Sequence, residues 1–152
     1  TEVARDTPPL NPRGVSPGRQ ARFLVRALYA ADQARAALFT WRGLQDRTSH
    51  LAGFASIASG LFYNHSDRIA RDPAKPARRA FRFPFLVRGR EAWGIAPRRR
   101  ALVVIERQRP GGWHAVGAVR AARSGEFSAG IPPGQGRYRA RFGQARSLPW
   151  RR

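Results

Sequence analysis

A chain of 152 residues holds one ordinary domain or two small ones. Apolar residues make up 42% and aromatics 11%, which excludes wholesale disorder; the lack of cysteine excludes disulfides, thiol catalysis and thiolate metal sites. Twenty-nine basic residues against nine acidic ones give +20, but Lys75 is the only lysine and the arginines form no run longer than Arg98-Arg99-Arg100, the pattern of solvated faces rather than of a specific nucleic-acid interface.

Glu2 stands before a Pro-rich segment, so it is predicted at the C-terminal end of a strand. Residues 5–15, with Pro8, Pro9, Pro12 and Gly14, read as an irregular loop. Ser16 before Pro17 is a good N-cap followed by proline at the first helical position. The helix is predicted to run to about Arg35, because Ala21, Leu24, Ala27, Leu28, Ala31 and Ala34 recur on one face.

Residues 36–41 form a short apolar run, the pattern of a strand in a parallel sheet covered on both sides. Helix followed by buried strand is half of a βαβ unit. The polar, Gly-rich stretch 43–72 is a loop of the length that carries function. Lys75-Pro76 opens a short helix reaching about Phe81.

From Phe81 the period becomes two, with Phe81, Phe83, Phe85 and Val87 alternating with Arg82, Pro84, Leu86 and Arg88. Further strands are predicted at 90–95, 100–108, 113–121, 125–130, 136–142 and 146–150, with Gly111-Gly112 as a hairpin turn. Tyr138, Ala140 and Phe142 should face inward and the interleaved arginines outward. Several short strands in this span read as a small sandwich.

The chemical inventory is thin. His50, His65 and His114 lack metal-ligand spacing, so no metal site is expected. Trp93, Trp113 and Trp150 read as core residues. Glu2 and Trp41 are predicted at the ends of consecutive strands. In a (β/α)8 barrel such positions face the active site, where a carboxylate and an indole could hold a sugar. The alternative is an exposed glutamate and a core tryptophan.

Thr1-Glu2, Thr7-Pro8-Pro9, Gly14-Val15-Ser16 and Gln20-Ala21-Arg22-Phe23-Leu24 resemble strand seven and helix seven of clan A glycoside hydrolases, especially cellulase-like proteins of actinobacteria. Trp41 with Gln45-Asp46 resembles their strand eight. Ser59-Gly60-Leu61-Phe62, Lys75-Pro76-Ala77 and Phe81-Arg82-Phe83-Pro84-Phe85 follow in the same order. Val3-Ala4-Arg5 departs from the family's usual Gly/Ser-Trp after the glutamate.

The resemblance implies an α+β chain: over residues 1–85 the C-terminal part of a (β/α)8 barrel (end of strand 7, helix 7, strand 8, helix 8), then an immunoglobulin- or fibronectin-like sandwich over 86–152. It implies that Glu2 is the catalytic nucleophile, Trp41 the substrate-binding platform, and a β-linked polysaccharide the substrate of a secreted or cell-surface bacterial enzyme. No cofactor is implied. The acid/base glutamate would lie on strand four, in a missing N-terminal barrel portion, so the chain alone is expected to be inactive. The absence of methionine fits that expectation of a partial or processed product. A non-catalytic carbohydrate-binding or cell-surface module and a basic nucleic-acid-binding protein are the alternatives.

Overall fold

The computed structural model describes residues 2–3, 5–47, 57–66 and 68–152. The chain divides into two compact units, Thr1–Phe81 and Arg82–Arg152.

The first unit begins with β1 (Glu2–Val3), α1 (Pro17–Gln33) and β2 (Thr40–Trp41). The Ser16 hydroxyl accepts the Arg19 N–H at 3.3 Å, and Pro17 occupies the first turn, where its missing N–H costs nothing. Gln20, Ala21, Leu24 and Val25 are the buried residues of the helix. At its end Arg35 takes a left-handed φ of 50°. The backbone then emerges into solvent, with Leu38 73% exposed.

This overturns the expected buried strand over residues 36–41. Only Thr40 and Trp41 pair, in parallel with Glu2 and Val3. A 3-10 turn, Ile69–Arg71, and α2 (Pro76–Arg82) follow.

The second unit is antiparallel throughout. One sheet joins β3 (Phe85–Arg88), β4 (Glu91–Ile95) and β7 (Glu126–Gly130) in the order β3-β4-β7. The other joins β5 (Leu102–Arg109), β6 (Gly112–Arg120), β8 (Arg137–Phe142), β9 (Ala145–Arg146) and β10 (Trp150–Arg151). Its order is β10-β8-β5-β6, with β9 also on β8.

Alternation in each strand sends one set of side chains into a shared core. Phe85, Val87, Ala92 and Phe127 come from the first sheet, and Val103, Ile105, Tyr138 and Ala140 from the second. Gly94 lies where a side chain would collide with Pro84 O and the Phe127 ring, both 2.5 Å from its Cβ position. Its missing side chain is the space that the Phe127 ring occupies.

The expected fold class is therefore corrected. The described sheets are mainly antiparallel, and the two helices span 17 and 7 residues. The parallel pairing amounts to two residues per strand. A barrel strand is buried on both faces between two neighbours. Here the apolar run before Thr40 is exposed, and α2 is too short to be a barrel's closing helix.

Phe81 also departs from the period-two reading, since it belongs to α2 and is 42% exposed. Of the tryptophans expected in the core, Trp93 is buried and Trp150 packs partly buried against the core cluster. Trp113 instead carries the Arg139 guanidinium on its ring at 4.2 Å.

Candidate functional site

The two residues singled out in the sequence lie on the parallel pair of the first unit. Glu2 is the register partner of Thr40, and Val3 that of Trp41, so Glu2 and Trp41 stand one position apart across the pair. The Glu2 side chain lies outside the described residues. Trp41 is half-buried: its indole Nε1 donates to Ser59 O at 2.8 Å, and its ring meets Phe23 of α1 at 6.4 Å. The hydrogen bond fixes the indole's rotation, as an aromatic with a polar handle requires when partly buried. His50 lies outside the described residues.

The same unit holds a buried ion pair that joins four of the sequence motifs. Lys75 Nζ donates to Asp46 Oδ1 at 2.7 Å, Thr7 Oγ1 at 2.7 Å and Ala58 O at 2.9 Å. An ammonium has three protons to give, and all three are placed. Asp46 Oδ1 also accepts the Gly60 N–H at 2.9 Å, and Thr7 Oγ1 passes its own proton to Ala58 O at 3.1 Å.

Both charged side chains are almost completely enclosed, 0% and 2% exposed. Burial pushes the Asp46 carboxyl up and the Lys75 ammonium down, against the hydrogen bond and charge attraction that pull each back. The pair fastens the loop after β1, the segment after β2 and the start of α2 to one another.

The other described carboxylates of this unit are also engaged. Asp6 accepts from Asn11 Nδ2 at 3.2 Å and from the Ala58 N–H at 3.3 Å. Asp32 accepts from Gln33 Nε2 at 3.3 Å. Asp72 accepts the His65 N–H at 3.1 Å, the Ser66 hydroxyl at 3.0 Å and the Gln45 amide. Desolvation would raise the Asp72 pKa, but these donors outweigh it and hold the group below its ordinary value.

Beside Phe23 runs a groove of about 400 Å³ lined by Arg5, Val15, Arg19, Arg22, Phe23 and Arg26. Arg19, Arg22 and Arg26 are three and four residues apart, hence on one face of α1. Arg5, arriving from the segment after β1, lays its guanidinium on the Phe23 ring at 4.8 Å. Its carbonyl accepts from the buried Gln20 amide at 2.9 Å, which anchors the loop to the helix. Reading the arginines as dispersed missed this cluster. The helical spacing of Arg19, Arg22 and Arg26 was the signal that could have found it.

No protein-family model matches the chain, and no curated protein matches it. Among the described residues no group of His, Cys, Asp and Glu side chains could hold a metal ion, and no helix is long and apolar enough to cross a membrane. The candidate features of this unit are thus the Glu2 position on β1, the half-buried Trp41 indole on β2 and the basic groove beside Phe23.

Proposed function

We propose that this chain belongs to a secreted retaining glycoside hydrolase acting on a β-linked polysaccharide, with Glu2 as nucleophile and Trp41 as the platform for a sugar ring. The proposal is carried by the residue motifs at Glu2 and Trp41; the pairing of β1 with β2 makes them neighbours in the backbone, although the register of Glu2 with Thr40 and of Val3 with Trp41 sets the two positions on opposite faces of that short pair. The ordered motifs that resemble clan A glycoside hydrolases support it from the sequence side.

Retaining chemistry needs a second carboxyl about 5–5.5 Å from the nucleophile, as acid and then base. Asp6, Asp32, Asp46 and Asp72 all accept local hydrogen bonds. The proposal assigns the acid/base role to sequence outside the described residues, in keeping with the motifs' resemblance. These 152 residues alone are expected not to hydrolyse glycans.

The test is covalent trapping. The full-length gene product is incubated with activated 2-deoxy-2-fluoro glycosides and digested, and the peptides are weighed. A glycosyl adduct on the Glu2 peptide, absent from Glu2→Gln, is the expected result. Active full-length enzyme that carries its label elsewhere overturns the assignment.

A non-catalytic carbohydrate-binding module is the second reading, favoured by the engagement of these carboxylates. Glycan binding that survives Glu2→Gln, with no hydrolysis by the full-length protein, would establish it.

A further inference from the structure

We infer that the arginine groove on α1 is an anion subsite that takes the carboxylate or sulfate groups of an acidic polysaccharide. The inference rests on the glycan reading above and names the class of glycan.

The first argument is electrostatic. Arg19, Arg22 and Arg26 share one helix face, and Arg5 is brought to them by a separate segment. Like charges at this helical spacing repel and destabilise the helix. Among the described residues no acidic side chain lines the groove, and Arg5, Arg19 and Arg22 form no ion pair. The arrangement stores positive potential that an external anion relieves.

The second argument is chemical. A guanidinium presents a planar fork that binds a carboxylate or sulfate through two parallel hydrogen bonds. The forks of Arg5, Arg19 and Arg22 around one groove suit a ligand with anionic groups at repeated spacing.

The third argument is proximity and size. Arg5 packs on the Phe23 ring at 4.8 Å and Phe23 meets Trp41 at 6.4 Å, so the groove lies two contacts from the indole. The groove's volume of about 400 Å³ falls in the range of small-ligand sites, roughly 300–1,000 Å³.

Binding of the intact chain would be measured by calorimetry near physiological salt. The probes are polygalacturonate, heparin, a neutral β-glucan, single-stranded DNA and duplex DNA. Arg19→Gln combined with Arg22→Gln tests the groove. Arg98→Gln combined with Arg99→Gln, in an exposed turn of the second unit, removes the same charge elsewhere. Circular dichroism confirms that both variants remain folded.

The inference expects at least a tenfold loss of acidic-glycan affinity in the groove variant, little change in the control, and weak binding of neutral glucan. Equal losses in both variants would reduce the effect to net charge and overturn it. DNA bound more tightly than either acidic glycan, with the same dependence on the groove, would overturn it in favour of a nucleic-acid site. The readout needs no turnover and does not depend on which peptide carries a trapped label. Failure of the nucleophile assignment is thereby distinguishable from failure of the groove.

Discussion

Lys75 is the one lysine among 29 basic residues, and it is the basic side chain enclosed at the buried ion pair. A tetrahedral ammonium meets Thr7, Asp46 and Ala58 at once, whereas a flat guanidinium could not meet three acceptors around a point. Lys75→Met leaves Asp46 buried without its partner and should cost about 3–5 kcal/mol in urea unfolding. Adding Asp46→Leu should recover part of the loss, because it also strands the Gly60 N–H. Lys75→Arg is expected to behave as a disruptive substitution. Gly60→Ala should disturb the same place, since its new methyl would run into the backbone of Gln45 and Asp46; about 1–3 kcal/mol is the scale of such overpacking.

In the second unit Glu106 is held by Arg139 at 2.7 Å and Arg141 at 2.6 Å, with its side chain 8% exposed. Desolvation would raise its pKa, but the two arginines' hydrogen bonds and charges prevail and the folded value lies below the ordinary one. A lowered folded pKa means stability that is full above the unfolded value and lost as pH falls through the folded value. Glu106→Gln should therefore flatten the acid limb of the stability profile. At neutral pH it should cost roughly 1.5–3 kcal/mol, the worth of hydrogen bonds to a charged group. Asp46 acts in the opposite sense. With its folded pKa raised, the native state holds that proton more tightly, and this group favours folding as pH falls through the carboxylate range.

At the scale of elements, α1 was legible because its cap and apolar spacing agree: Ser16 and Pro17 start it, and Leu24 and Ala21 are buried where the periodicity puts them. The alternation in β8 was legible for the same reason, with Tyr138 and Ala140 fully buried between outward arginines. The apolar run before Thr40 misled, since Leu38 is hydrophobic yet exposed, and composition alone does not say whether a sheet waits to cover it.

The stretch read as one strand over 146–150 is two short pieces, and its break has a local cause. Ser147 Oγ accepts the Ala140 N–H at 2.9 Å, taking an acceptor position that a backbone carbonyl holds in a regular ladder. Ser147→Ala would leave that buried N–H unpaired and should cost about 1–3 kcal/mol. Amide exchange at Ala140 should accelerate at the same time, which hydrogen exchange by NMR would record. The arginine groove was legible only in part: the helical spacing puts Arg19, Arg22 and Arg26 on one face, but Arg5 joins them through a tertiary contact that no local pattern encodes.

For the whole molecule, a net charge of +20 predicts adhesion to any polyanionic matrix, whatever the specific ligand. Retention on phosphocellulose should fall linearly as log affinity against log salt, the mark of counterion release. The groove variant should change that slope only slightly, because two charges out of so many are removed. A collapse of general adhesion in that variant would show that the four arginines dominate the molecule's field.

The interrupted margin of the larger sheet has a consequence for assembly. Its outer strand is split into β9 and β10, two residues each, with Pro149 between them lacking an N–H to offer. The opposite margin, β6, runs nine residues. An incoming strand from another copy can therefore extend this sheet on one side only. Edge-to-edge addition through β6 would consume the open margin of both partners, so growth along this sheet stops at a pair instead of propagating into a fibre.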